Sequence, residues 1–195
     1  MNLVWGRDVI SLAPRRIGVE EVARRVALVG GFALLTALGA QVRIPLGFTP
    51  VPITMQTFFV LFGGLLLGAN LGTTAQLLYL TLGALGAPFF AGGALGFASL
   101  LGPTGGYLVG FVASAWLVGQ LARGVDPAGP RAGYQVLAVL AVGTVAIYVP
   151  GVFWLARVMG MGLWPALGAG VLPFLPGDAL KAVLAAALWL RLARR

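Results

Sequence analysis

Six long apolar segments divide the chain, and short polar, charged or proline-rich stretches separate them. The segments cover residues 22–40, 53–68, 71–87, 104–122, 134–158 and 176–190. Each approaches the roughly 20 apolar residues that a helix needs to cross a bilayer. The pattern therefore predicts an all-α integral membrane protein. We expect one membrane domain over residues 1–195, built as a six-transmembrane-helix bundle.

Two irregular stretches lie between these segments. Residues 41–52 (QVRIPLGFTPVP) contain three prolines, and residues 88–103 (PFFAGGALGFASLLGP) carry no charge and too many glycines for a stable helix. Non-helical backbone is tolerated at membrane depth where it lines a cavity. We expect both loops to cap a cavity, with Phe89, Phe90 and Phe97 pointing inward. An ordinary flexible connector is the alternative for the second loop.

Composition supports a membrane location, because 59% of the residues are hydrophobic and only 9% are charged. A soluble domain carries roughly 25% charged residues. The chain has no cysteine and no histidine, which excludes disulfides, thiol catalysis and histidine-based metal sites. Asp178 is the one acid within an apolar segment, so a carboxylate pair for acid–base catalysis is absent there. We expect neither enzymatic activity, nor a metal, nor a cofactor.

The arginines indicate an orientation. The net charge is +8, but the charges stand at the ends of the apolar segments, as topology signals do, and we expect no nucleic-acid partner. With six spans and a cytoplasmic N-terminus, ten arginines fall inside and two, Arg43 and Arg157, fall outside. Both termini are then cytoplasmic. Residues 1–20 read as a cytoplasmic or interfacial arm against the lipid, without the apolar core of a cleavable signal peptide.

The candidate site is a pair of opposite charges in the last segment, Asp178 and Lys181. Lys181 precedes Arg191 by ten residues, so it lies about 15 Å deep in a helix. Asp178 is three residues earlier, on the same helix face. Charges at such depth are costly and usually functional. We interpret the pair as a site for a polar ligand. A purely structural ion pair, with Asp178 stabilising a helix N-terminus, is the alternative.

Polar side chains in other segments are candidates for the same site, although each could instead bond between helices. They are Gln56, Gln76, Tyr79, Thr104, Tyr107 and Tyr148.

The first segment contains a pair of small residues four positions apart, Ala33 and Ala37. Such spacing lets another helix approach closely. The neighbour is either a helix of this bundle or a partner membrane protein.

Three long motifs in the chain resemble one family. They read PVPITMQTFFVLFGGLLLGANLGTTAQLLYLTLGALGAPFFAGG, LLGPTGGYLVGF and PFLPGDALKA, within residues 44–187. The chain resembles BioY, the biotin-binding S component of energy-coupling factor (ECF) vitamin transporters. The resemblance implies an outward-facing, loop-capped biotin pocket in a prokaryotic cell membrane. It implies biotin contacts by Asp178, Lys181 and Gln56. It also implies that Ala33 and Ala37 dock onto a transmembrane coupling subunit, which works with two ATPase subunits.

Two positions depart from the family pattern. Ala94 stands where some members have asparagine, and Leu108 where some have arginine. We expect backbone groups of Gly92, Gly93 and Ala94 to substitute, which leaves Lys181 as the buried cation. The sequence thus predicts high-affinity biotin capture for uptake. The alternatives are an S component for another vitamin, an intramembrane enzyme, or a structural partner without a ligand.

Overall fold

The computed structural model describes residues 18–194, so the predicted arm lies almost wholly outside the described residues. Within this range the chain is helical apart from one β-hairpin and its loops. The elements follow in the order α1 (Val19–Gln41), β1 (Arg43–Leu46), β2 (Thr49–Thr54), α2 (Gln56–Ala84), α3 (Phe97–Leu101), α4 (Gly105–Leu121), α5 (Ala132–Met159), α6 (Leu163–Gly170) and α7 (Leu175–Ala193). Short 3-10 turns cover Ala91–Gly93 and Ala122–Gly124.

Four of the described helices are long and apolar enough to cross a membrane: α1, α2, α4 with its 3-10 extension, and α5. Helices α6 and α7 pass the same test as a pair bent by 52°, which gives up to five spans. The helical, multi-pass membrane fold predicted from the sequence is confirmed at this level.

Helix α2 is broken at Gly68, whose backbone has φ 75° and ψ 177°. Glycine adopts this conformation without the steric cost of a Cβ. The two halves lie side by side. This arrangement brings Gln56 Nε2 within 2.5 Å of Tyr79 Oη, to which it donates a hydrogen bond. A straight helix would separate these residues by about 35 Å. The break falls at the end of the predicted segment 53–68, so each half corresponds to one apolar segment of the sequence.

The expectation of an irregular loop over residues 41–52 is wrong, because most of this stretch forms the antiparallel hairpin β1–β2. Arg43 pairs with Thr54, Ile44 with Ile53 and Leu46 with Thr49, with an irregularity at Pro45. Both strands of a two-stranded sheet are edges, where proline is tolerated at positions that need no N–H donor. The prolines therefore did not prevent a sheet.

The glycine-rich loop between α2 and α4 contains more helix than expected. After the 3-10 turn, Gly96 adopts φ 81° and helix α3 begins at Phe97. The start of the loop is tethered to the end of α1, since the Gln41 side-chain amide donates to the carbonyls of Pro88 (3.3 Å) and Phe90 (3.2 Å). The loop is thus hydrogen-bonded to the bundle instead of being a free connector.

The small-residue pair of α1 lies inside the bundle. Ala33 and Ala37 are only 1% and 5% exposed, and they belong to the same apolar cluster as Val60 and Tyr79 of α2. The alternative of packing within the bundle therefore describes this pair. Their face is covered by this chain in the structure, and docking of a partner on Ala33 and Ala37 stays a prediction.

Candidate functional site

Asp178 and Lys181 form a buried ion pair in the first turns of α7. Their side chains are 2.7 Å apart, and the residues are 5% and 7% exposed. Residues three apart on a helix share a face, so the sequence spacing places the two groups together. A buried pair of this kind needs further hydrogen bonds to offset the loss of hydration.

Two hydroxyl groups from neighbouring helices supply those hydrogen bonds. Thr57 Oγ1, on α2, donates to Asp178 Oδ1 over 2.9 Å and accepts from Lys181 Nζ over 3.1 Å. Tyr148 Oη, on α5, donates to Asp178 Oδ2 over 2.5 Å. Three helices are therefore joined at one polar cluster: α2, α5 and α7.

A second polar group stands at the start of α2. Gln56 donates to Tyr79 through its amide nitrogen, and its amide oxygen accepts from Thr54 Oγ1 over 3.1 Å. Tyr79 also supports the loop above, since its ring packs edge-on against Phe90 with centroids 5.7 Å apart. Gln56 is thereby held in one orientation beside the ion pair.

Both polar groups face one cavity, which is bounded by the hairpin, the loop and four helices. Its volume is about 60 Å³. Most of its wall is apolar, and a few polar groups converge on it, which is typical of small-molecule sites. The lining comprises Val51, Pro52, Thr54, Gln56, Thr57, Phe90, Ala91, Thr104, Tyr107, Leu108, Phe111, Ile147, Tyr148, Phe174, Asp178 and Lys181.

The hydrogen-bonding capacity left at the ion pair defines what it can bind. Lys181 Nζ has three protons and uses two on protein atoms. Asp178 Oδ2 accepts from Tyr148 and retains a second lone pair. The pair is also neutral as a whole. It therefore suits an uncharged group that carries an acceptor and a donor side by side.

Comparison with known proteins supplies the family. The profile described as "BioY family" matches residues 11–195. The probable biotin transporter BioY of Pyrococcus horikoshii is 43% identical over 84% of this chain and 92% of its own length. The biotin transporter BioY of Thermotoga maritima is 40% identical over 87% of this chain and 95% of its own length. The chain belongs to the BioY family.

A solved structure agrees with this assignment. The S component for biotin from an ECF-type ABC transporter superposes with a TM-score of 0.81 and 27% sequence identity. The superposition covers 91% of this chain and 95% of the other. The family resemblance seen in the sequence is therefore confirmed at the level of both sequence and fold.

Six of the residues predicted for the site of this BioY-family chain line the cavity: Gln56, Thr104, Tyr107, Tyr148, Asp178 and Lys181. Tyr107 also anchors α4 to the α6–α7 bend, because its hydroxyl donates to the Gly170 carbonyl over 2.9 Å. Tyr79 and Gln76 are fully buried and lie behind the wall. Tyr79 therefore positions Gln56 and Phe90, and Gln76 bonds to Thr36 of α1 over 3.3 Å.

Four predicted site residues lie away from the cavity: Gly92, Gly93, Ala94 and Phe97. The Gly93 N–H donates to the Phe90 carbonyl and the Ala94 carbonyl accepts from the Phe90 N–H, both over 3.1 Å. These backbone groups therefore close the turn. Phe97 is 63% exposed, because α3 begins after the left-handed Gly96 and turns this ring outward. The prediction that Phe97 points inward is wrong.

The sequence analysis missed several lining residues. Thr57 bridges the ion pair. In the sequence it looks like any other helical threonine, because its role depends on the approach of α2 to α7. Phe111, Ile147 and Phe174 form apolar wall and are indistinguishable in sequence from core residues. The adjacency of Gln56 and Thr57 near a helix start was the one available signal. Leu108, at the arginine position of some relatives, is buried in the wall.

Proposed function

We propose that this chain is a biotin-binding S component that works in an ECF transporter for biotin uptake. The observation that carries the proposal is the Asp178–Lys181 pair, neutral as a whole, which faces a largely apolar cavity. Thr57 bridges the pair, and Tyr148 donates to Asp178. The names of the relatives and of the solved S component support biotin as the ligand.

The chemistry of biotin fits the groups in the cavity. Its ureido ring is uncharged and presents a carbonyl acceptor beside two N–H donors. The remaining Lys181 proton can donate to that carbonyl, and the free lone pair of Asp178 can accept from an N–H. The sulfur ring and the aliphatic chain are apolar and match Phe90, Phe111 and Phe174. Burying this apolar surface favours binding by roughly 25 cal/mol per Å².

A ligand must pass the wall of the cavity to reach the ion pair, because Asp178 and Lys181 are buried. The wall formed by Phe90 and Ala91 belongs to the loop, whose hold on α1 is the amide of Gln41. The wall formed by Val51 and Pro52 belongs to the two-stranded hairpin. Loops and small hairpins open at lower free-energy cost than packed helices. We infer that biotin enters between these two elements.

Titration of the purified protein with biotin tests the proposal. We expect Lys181→Ala to lower biotin affinity at least tenfold, because the variant lacks the buried side chain that donates a hydrogen bond to the ligand. Leu184→Ala is a matched control on the same helix, since Leu184 is exposed on the apolar surface and lies outside the cavity. It should bind as wild type. Thiamine and riboflavin serve as competitors that report an S component for another vitamin.

A second variant separates binding from folding. Asp178→Asn with Lys181→Met removes both charges, so no unpaired charge is left buried. This double variant should elute as a folded monodisperse protein and still fail to bind biotin. Unchanged affinity in Lys181→Ala, or in the folded double variant, would refute the role of the pair.

We also propose six spans, with the halves of α2 counted separately and α6–α7 as one broken span. Both termini then face the cytoplasm and the cavity opens outward. The distribution of arginines supports this orientation. The chain contains no cysteine, so single cysteines report sidedness without background. Gly47→Cys should react with an impermeant maleimide in whole cells and Ala128→Cys should not; the reverse pattern would overturn the orientation.

For the coupling subunit and its two ATPases, we propose docking on the exposed face of α1. Ala23, Ala27 and Gly31 are exposed and spaced four residues apart, which permits close approach of another helix. Gly31→Trp should abolish co-purification with a coupling subunit and leave biotin binding intact. Leu35→Trp places the same bulk four residues further along this exposed face, and we expect it to act in the same way. Retention of the complex in Gly31→Trp would exclude this surface.

A further inference from the structure

Arg43 is the first residue of strand β1, in the hairpin that forms part of the cavity wall. It pairs directly with Thr54 of β2, whose side chain lines the cavity. Directly paired residues of an antiparallel ladder project to the same side of the sheet. The register of the hairpin therefore directs Arg43 to the side on which the cavity lies.

The loop opposite the hairpin also lies against the Arg43 side chain. A Cβ at Gly92 would overlap the Arg43 guanidinium and would lie 3.0 Å from Nη2. Gly92 follows Phe90 and Ala91, which line the cavity. The guanidinium thus lies between the hairpin and the loop, where we infer that the ligand enters. Arg43 is exposed there, while Asp178 and Lys181 are buried.

Arg43 has no acidic partner within residues 18–194. The ion pairs of this range join Glu21 to Arg24 and Arg25, and Asp178 to Lys181. Guanidinium is charged at every physiological pH and presents several donors in a fixed fork that matches a carboxylate. A cation at the mouth of a cavity, without an acid of its own chain, is available for an anionic ligand group.

The buried pair, in contrast, disfavours an anion. The charge of Lys181 is already balanced by Asp178 at 2.7 Å, so a ligand carboxylate there would place a second negative charge beside the first. The wall near this point includes Leu108 and Phe111, which stabilise no charge. Like charges at close range in a site of low polarity are unfavourable.

We propose that Arg43 binds the carboxylate of the ligand at the mouth of the cavity, while Asp178 and Lys181 bind its uncharged polar end. The proposal rests on the proposed function, because it assigns the two ends of biotin. It makes Arg43 a specificity-determining residue that distinguishes the free acid from uncharged derivatives. In this chain, whose wall carries Leu108 in place of an arginine, the carboxylate contact comes from the hairpin.

The test compares biotin with its methyl ester, in which an uncharged group one methyl larger replaces the carboxylate. Affinities are measured for the wild type, Arg43→Gln, Lys181→Ala and the control Arg157→Gln. Arg157 is another exposed arginine. It lies near the C-terminal end of α5, the helix that also contains Tyr148. Wild type and Arg157→Gln should bind the acid about tenfold more tightly than the ester. Arg43→Gln should lose that preference by weakening the acid alone, whereas Lys181→Ala should weaken both ligands equally. Arg43→Lys should keep part of the preference.

The outcomes separate this proposal from the proposed function. If wild type binds the acid and the ester equally, or if Arg43→Gln keeps the full preference, the role of Arg43 is refuted and biotin binding stands. If Lys181→Ala is the variant that loses the preference, the carboxylate lies at the buried pair and the proposal is overturned. If wild type binds neither ligand, the proposed function itself fails.

Discussion

The two ends of the bundle are built differently. The site end holds the hairpin, the loop and the polar cluster around Asp178. The opposite end holds the Gly68 break, the end of α4 and the start of α5. Its core is a wholly apolar cluster that includes Leu61, Val118, Leu140 and Trp189. The site end contains a cluster of side-chain hydrogen bonds that joins α2, α5 and α7, whereas side chains at the opposite end meet mainly through apolar contacts.

Glycines also let helices approach closely at the opposite end. A Cβ at Gly119 of α4 would overlap the backbone at Gly68 and Ala69 of α2. A Cβ at Gly64 would lie 2.9 Å from the Ala115 carbonyl oxygen. Small residues that allow such approach are a general device of membrane helix packing. We expect the helices to stay packed while the hairpin and the loop, which is tethered to α1 by two hydrogen bonds, change shape.

The strongest way to test this contrast is Gly119→Val, because the added methyl groups would collide with backbone that cannot move aside. Overpacking of this kind costs roughly 1–3 kcal/mol and more against rigid backbone. We expect the melting temperature in detergent to fall by about 5 °C or more. Gly133→Ala is the control, because nothing lies within 4 Å of its added Cβ, and it should melt as wild type. Equal melting of both variants would contradict tight packing at this end.

A smaller effect is expected from Thr57→Val, an isosteric change at the site end. It removes the hydroxyl between Asp178 and Lys181, so each partner of the ion pair loses one hydrogen bond. Biotin affinity should fall about fivefold in an equilibrium titration, and the melting temperature should fall by a few degrees. Thr74→Val, on the exposed face of the same helix, controls for the loss of a threonine. Unchanged biotin affinity in Thr57→Val would show that this hydroxyl does not support the site.

The smallest effect is expected from Phe97→Ala, which changes an exposed ring of α3 outside the cavity. Biotin affinity should stay within about twofold of wild type, since no cavity contact is removed. A tenfold loss, measured in the same titration, would place Phe97 in the site after all and would extend the site end to α3.

The sequence predicted what depends on local spacing. The apolar segments located the helices, and the boundary after residue 68 coincides with the break in α2. The separation of three residues placed Asp178 and Lys181 on one face, and the structure shows them paired. Whether they bind biotin stays a prediction of the proposed function.

Contacts between distant elements were beyond the sequence. Ala33 and Ala37 had the spacing of a docking face, but periodicity does not say which neighbour covers a face. Thr57 became part of the polar cluster only because α2 approaches α7. The hairpin was missed because three prolines suggested irregular backbone, and pairing depends on a partner strand that composition alone does not reveal.

The break at Gly68 joins the arms of α2 without a linker, so the pair should behave as one rigid body. Gln56 stands on one arm and Tyr79 on the other, and their hydrogen bond closes the gap at the far end. This hydrogen bond opposes separation of the two arms, so we do not expect biotin to make room by moving them apart. The hairpin and the loop are then the elements that open. Ligand entry becomes a local change, and the helices below keep their arrangement.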